Sequence, residues 1–75
     1  MTRVQLGSSM MESAGYDSAT RVLEIEFARG AVYHYFDVPL DLYQALLDAP
    51  SQGRFFHGRI RGAFEFQRVN EVSAQ

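Results

Sequence analysis

The 75-residue sequence predicts a small α+β domain: an antiparallel sheet built from an N-terminal strand, a central hairpin and a C-terminal strand, with two short helices packed on one face. Three observations predict it. Between Arg21 and Asp37, β-branched and aromatic residues alternate with charged ones and break at Arg29-Gly30, as two strands joined by a glycine turn do. From Leu42 to Leu47 the apolar residues recur at helical spacing instead, and Pro50-Ser51 divides them from a second short helical stretch. Alternation resumes between Ala63 and Val69.

Residues Thr2 to Tyr16 carry Val4, Leu6, Met10, Met11, Ala14 and Tyr16 in loose alternation, disturbed by Ser8-Ser9 and Gly15. They predict one irregular strand with a bulge at Gly15. Asp17-Ser18-Ala19-Thr20 follows as a turn, because Asp and Ser side chains bond to their own backbone there. In the hairpin, a three-residue loop Ala28-Arg29-Gly30 with Gly30 left-handed puts Phe27 opposite Ala31 and gives Leu23 and Ile25 the same face as Tyr33 and Tyr35. A two-residue turn at Arg29-Gly30 slips the pairing by one, and Leu23, Ile25 and Phe27 then share a face with His34, Val32 and Phe36. The first register is favoured, since a type I′ turn needs positive φ at both central positions and Arg29 tolerates that poorly. It makes the two tyrosines core rather than a base-stacking platform, and it leaves His34, Val32 and Phe36 on a face that needs separate cover.

Asp37-Val38-Pro39 ends the third strand and starts a helix, with Pro39 in the first helical position and Asp41 complementing the helix N-terminus. Leu42, Leu46, Tyr43 and Leu47 span an arc of roughly 140°, opposite Asp41, Gln44 and Asp48. Pro50 stops this helix. Ser51 is a suitable N-cap for a second one running through Phe56, which Gly58 would close in a left-handed conformation. Arg59-Ile60-Arg61 is expected to be extended, with Ile60 inward and both arginines outward. The last strand covers Ala63 to Val69, and Asn70 to Gln75 reads as a loose tail. No repeat, low-complexity tract or linker divides the chain, so residues 1–75 form one domain with its core between about 4 and 69.

Composition bounds the functions open to it. The chain is 47% hydrophobic and 13% aromatic, enough for a packed core, but a domain of this size buries only about 60% of its unfolded surface. Self-association is therefore a fair expectation. The absence of cysteine removes disulfides and thiolate metal sites and fits a cytoplasmic location. No apolar run is long enough to span a bilayer and the start lacks a signal-peptide core, so no membrane role is expected. Net charge is −2, which alone speaks against nucleic acid. Its distribution does not: all seven basic residues are arginine, and Arg54, Arg59, Arg61 and Arg68 follow Ala49, where the only acids are Glu65 and Glu71.

Ser8-Ser9, Gly15-Tyr16-Asp17, Leu23-x-Ile25-x-Phe27, Gly30, Tyr33-His34-Tyr35, Val38-Pro39, Ala49-Pro50-Ser51-x-Gly53, Phe56, Ile60-Arg61 and Phe64-x-Phe66 together resemble the KTSC domain. These pieces cover nearly the whole chain in order and spacing. The resemblance implies a small domain found alone in bacterial proteins, or carried by phages, and at the C-terminus of some lysyl-tRNA synthetases. It implies no established activity; RNA binding has been suggested from that company. Tyr33 and Tyr35 match the family's central Tyr-x-Tyr. His57 stands where asparagine is expected, and Phe64 and Phe66 where tyrosines are usual.

Ser51, Gly53, Arg54, His57, Arg59 and Arg61 are the candidate nucleic-acid-binding set. A helix N-terminus, a glycine permitting close backbone approach and neighbouring guanidiniums suit a phosphate backbone. The competing reading is that Ser51 only caps its helix, Gly53 only packs, and the arginines are solvated or paired with Asp48 and Glu65. Asp48, Ser51 and His57 are the residue types of a hydrolase triad, but nothing in their spacing across Pro50 builds its hydrogen-bond chain. His34 and His57 lack partners for a metal, and no nucleotide or metalloprotease motif is present. The sequence therefore predicts a non-catalytic module with no cofactor, contacting RNA or another nucleic acid. The alternative is a protein-interaction or self-associating module using apolar groups such as Val32, Phe36, Met10 or Met11 on an uncovered sheet face.

Overall fold

The hairpin takes the unslipped register. In the computed structural model, which describes residues 2–70, β3 (Val22–Phe27) and β4 (Val32–Tyr35) pair Leu23 with Tyr35 and Ile25 with Tyr33. The Phe27 N–H donates to the Ala31 carbonyl at 2.8 Å, and Gly30 carries the left-handed turn at φ 93°. Leu23, Ile25 and Tyr35 are buried as that register requires.

The N-terminal segment is two strands rather than one. β1 (Arg3–Gln5) folds back antiparallel on β2 (Met11–Asp17), with Val4 opposite Ala14. The bulge sits at Glu12, not Gly15: Met11 faces Phe27 and Ser13 faces Glu26, leaving Glu12 the extra residue. That insertion lets Met11 and Ala14, three apart, both point into the core. Asp17 accepts from the Ala19 N–H at 3.0 Å in the expected turn. With β5 (Phe66–Arg68), the sheet is a five-stranded antiparallel meander in the order β1-β2-β3-β4-β5.

One face of this sheet carries the helices. In α1 (Leu40–Asp48), Pro39 is the N-cap, one position earlier than the sequence suggests, and Tyr43 and Leu46 are buried. Tyr43 stacks on Tyr16, centroids 5.1 Å apart, and the Tyr16 hydroxyl donates to the Val38 carbonyl at 2.5 Å. α2 (Gln52–Phe55) begins at Ser51, whose hydroxyl accepts from the Arg54 N–H at 3.3 Å. It does not close at Gly58, which lacks a positive φ. The chain runs on through a π-helical turn, Phe56–Ile60, and the left-handed residue is Gly62 at φ 81°. Arg59-Ile60-Arg61 is accordingly not extended. The wide turn sets Phe56 and Ile60 on one side, both buried, with His57 and Arg59 outside.

β5 is shorter than the sequence suggests, because residues 61–64 complete the turn out of the helix instead of pairing. Asn70 is not loose: its side chain accepts from the Val32 N–H at 2.7 Å and donates to the Gly30 carbonyl at 2.9 Å, extending the β4 edge. The rest of that tail lies outside the described residues.

The opposite sheet face is polar. Arg3 reaches across β2 over Gly15, where no side chain intervenes, and donates at 2.8 Å to both Glu24 and Glu26; His34 meets Glu24 at 2.9 Å. Burial alone would raise the Glu24 carboxyl, but hydrogen bonds from His34 and Arg3, with their charges, hold it below the usual carboxylate range. Of the apolar surface expected there little is open: Val69 is 44% exposed beside Val32, and Met10, 40% exposed, lies at the clefts of the other side. Met11 belongs to the other face and is fully buried, Val32 is 8% exposed, and Phe36 is half-buried.

Candidate nucleic-acid interface

Two clefts open on the helix side of the sheet. The first, of about 590 Å³, lies between the β3-β4 turn and the π-helical turn. Its floor follows from the hairpin register: Tyr33 and Tyr35 share a face and stack at 6.4 Å, while Phe27 meets Tyr33 edge-on at 5.5 Å and Phe56 meets Tyr35 edge-on at 5.5 Å. Phe66, across from Tyr35 on β5, lies beside both tyrosines, 5.7 Å from each ring and tilted to them, and remains 58% exposed. Arg29, from the hairpin turn, and Arg61, from the end of the π-helical turn, complete the lining.

Tyr35 is 5% exposed. Burial pushes its phenol up to about 12, the neighbouring Tyr33 phenol adds to this and the Arg61 charge opposes it. At neutral pH it is an uncharged hydroxyl able to donate and accept.

The second cleft, of about 640 Å³, lies between the loop after β1 and the start of α2, lined by Ser8, Ser51, Gln52, Gly53 and Arg54 among others. Gln52 ties the two segments together, accepting from the Gly7 N–H at 2.7 Å and donating to the Leu47 carbonyl at 3.1 Å. Gly53 packs against Ser8; a Cβ there would stand 3.3 Å from Ser8 Oγ. Ser9 and Met10 line both clefts, so the two adjoin at that point, and Met10 is 40% exposed.

The six residues singled out in the sequence are thus divided. Ser51, Gly53 and Arg54 line the second cleft, and Arg61 lines the first. Arg59 lies over the Phe55 ring, 5.4 Å from its centroid, and borders neither; exposed His57 accepts from Arg61 at 3.4 Å. Ser51 and His57 therefore engage other partners than each other, and no Ser-His pair forms. Among the described residues, no three His, Cys, Asp or Glu side chains gather as a metal site needs, and no helix is long and apolar enough to cross a membrane.

Sequence reasoning missed Phe27, Arg29, Phe56 and Phe66 as one site with the tyrosines. Arg29 was within reach, because the favoured register sets the turn beside the tyrosine face. Phe66 was not, since alternation assigns it to the sheet without showing that β5 is a three-residue edge. Among the described residues, neither cleft is lined by any Asp or Glu, despite the acidic balance of the chain. Glu24 and Glu26, which the slipped register would have brought to the tyrosine face, stand on the other side of the sheet.

The sequence pattern of the KTSC domain matches residues 7–64. The chain belongs to the KTSC domain family. A crystal structure of a KTSC domain protein from Yersinia pestis superposes with a TM-score of 0.86 at 40% identity, covering 92% of this chain and 97% of that one. An uncharacterised protein of Stutzerimonas stutzeri is 51% identical over 57 residues, 76% of this chain and 80% of the relative. A lysine–tRNA ligase of Trichormus variabilis is 40% identical over 62 residues, 83% of this chain but only 11% of the ligase, where the matched segment is a small part of a far larger enzyme. In this KTSC domain, the Tyr33-x-Tyr35 pair floors the first cleft, while Ser8-Ser9 and Pro50-Ser51-x-Gly53 meet in the second.

Proposed function

We propose that this KTSC domain is a non-catalytic accessory module that holds single-stranded nucleic acid, RNA foremost, along the two adjoining clefts. The observation that carries the reading is an aromatic cleft bounded by Arg29 and Arg61 and, among the described residues, lined by no carboxylate, in a protein of net charge −2. Sequence-tolerant single-strand binders combine these two parts, rings on which bases stack and cations along the backbone. Continuity at Ser9-Met10 favours a polymer, since a strand leaving the aromatic cleft meets Arg54 and the Ser8 and Ser51 hydroxyls next. Kinship with part of a lysine–tRNA ligase favours RNA over DNA. Protein recognition through the open sheet face has less to support it, because the Arg3-Glu24-Glu26-His34 network occupies that face.

The test is a titration with single-stranded RNA across a salt series. Binding is expected to fall linearly on a log-log plot. Arg61→Ala and Arg54→Ala should each reduce the slope by about 1 and weaken every sequence alike. Affinity that ignores both salt and these arginines overturns the reading.

A further inference from the structure

We infer that the aromatic cleft is a pocket for one unpaired nucleobase, whose edge is read by the Tyr33 and Tyr35 hydroxyls while Arg29 and Arg61 hold the adjoining phosphates. The inference rests on the nucleic-acid reading above and names the chemistry of its central site.

Tyr35 supplies the first argument. The hydroxyl of Tyr16 donates to the Val38 carbonyl, but that of Tyr35, in a residue only 5% exposed, has no hydrogen-bond partner among the described residues and belongs to the cleft wall. Among the described residues no buried polar side-chain atom is left unpaired, so this hydroxyl is reached by solvent, and at the cleft it is free to donate to or accept from a ligand. Tyr33 stands beside it on the same face, stacked at 6.4 Å.

Shape supplies the second. Phe66, directly across from Tyr35 on β5, lies tilted 5.7 Å from both tyrosine rings and is 58% exposed, so a flat ring entering the cleft has aromatic surface to stack on and the tyrosine hydroxyls to bond. At about 590 Å³ the space falls within the ~300–1,000 Å³ of small-ligand sites. An aliphatic side chain would leave the hydroxyls unpaired, and a base within a duplex offers neither its faces nor its pairing edge.

Charge supplies the third. Arg29 and Arg61 have no carboxylate partner among the described residues, whereas Arg3, on the far face, has two. Guanidiniums held at an aromatic cleft without counter-charge complement a base that carries phosphate.

A free nucleotide and a nucleotide within a strand present this same chemistry, and the experiment separates them. The chain has four tyrosines and no tryptophan, so its intrinsic fluorescence reports ring stacking directly. Wild type, Phe66→Ala and Tyr35→Phe are titrated with single-stranded RNA homopolymers of about ten nucleotides, within the ~4–16 nucleotides of small single-strand sites. A duplex of equal length and free 5′-nucleoside monophosphates complete the series. Single strands are expected to bind at least about tenfold tighter than duplex, and Phe66→Ala to weaken them roughly 5- to 150-fold, the loss of one base–aromatic stack. Tyr35→Phe keeps the ring and should compress the spread of affinities among the four homopolymers to about twofold, with the weakest binder unchanged.

Duplex binding equal to single-strand binding overturns the inference, as does unchanged affinity in a Phe66→Ala protein whose circular dichroism and Tm match wild type. Strand binding that survives Phe66→Ala in this way removes the base pocket and leaves the nucleic-acid reading standing. Free nucleotides that saturate with the same Phe66 dependence support the pocket and remove the polymer track. Binding of nothing removes both.

Discussion

On one face of the sheet Arg3 donates to both Glu24 and Glu26 and His34 closes on Glu24; on the other, Arg29, Arg61 and the Tyr35 hydroxyl end at a cleft with no carboxylate of the described residues beside them. Both regions are built from the same β3-β4 ladder, so the contrast does not come from the backbone. It comes from how each face satisfies its polar groups. The clasp face does so internally, and a charge whose partner is already in place contributes to folding and has little left to offer a ligand. The cleft face leaves donors and cations without a carboxylate partner among the described residues, so they remain open to a ligand. The clasp should therefore fail as a structural element and the cleft as a binding one, with different pH signatures.

The largest expected effect of pH is on the cleft face in alkali. The Tyr35 phenol is raised to about 12 by burial, and that of Tyr43 is raised by burial too. For an acid whose folded pKa exceeds its unfolded value near 10, the unfolded chain releases its proton first. Stability is then full below about pH 10 and declines as pH rises toward 12, by about 2–3 kcal/mol for Tyr35 alone. Denaturant midpoints measured between pH 9 and 12 check this, at points chosen to bracket that ~10–12 window. Tyr35→Phe should flatten much of the decline while leaving the neutral-pH midpoint near wild type. An equal decline in Tyr35→Phe would show that the enclosed phenol does not set the alkaline limit.

The clasp should respond at the other end of the scale. Because Glu24 is held below its ordinary range by His34 and Arg3, its contribution is present above the unfolded carboxylate pKa and is lost as pH falls through the folded one. Arg3→Ala should cost about 1 kcal/mol near neutrality, reduced by salt because Arg3 is one-third exposed, and should weaken the acid dependence of the midpoint. RNA affinity should not change. A variant that binds poorly while unfolding normally would reverse the assignment of the two faces.

How much of this was legible depends on where local chemistry decides the outcome. The hairpin register was, because Arg29 resists the conformation a two-residue turn demands and Gly30 accepts the one a three-residue loop needs; once it is set, Ile25 must share a face with Tyr33. Ser51 as a cap was legible for a similar reason, its oxygen satisfying an N–H three residues on. The N-terminal strands were not. A bulge at Glu12 breaks the two-residue period, so Met10, Met11 and Ala14 look like noise until the pairing with β3 is known. The π-helical turn was hidden for a related reason: Phe56 and Ile60 face inward whether the chain there is helical or extended, and Gly58 is as natural in the middle of the turn as at its end. Of the candidate site, the arginine at 61 could be named, but its convergence with Arg29 and Phe66 depends on contacts between the hairpin turn, the π-helical turn and β5 that no local pattern encodes.

The smallest expected effect makes the sharpest distinction. Phe66 and Phe56 both meet the Tyr35 ring, one 58% exposed on the edge strand and the other 3% exposed in the π-helical turn. Phe56→Ala removes a buried ring and should cost about 3–5 kcal/mol, taking binding with it by unfolding the cleft. Phe66→Ala removes a ring that water already reaches, and its tilted contacts with Tyr33 and Tyr35 are lost. Its cost should be about 0.5 kcal/mol, in the range of ordinary surface substitutions. An exposed aromatic whose removal scarcely moves the Tm yet weakens binding by the loss of one base stack is present for its partner and not for the fold. Thermal denaturation of the two variants side by side measures this, and a Phe66→Ala destabilisation approaching that of Phe56→Ala would make the edge-strand ring part of the core and the cleft a packing defect.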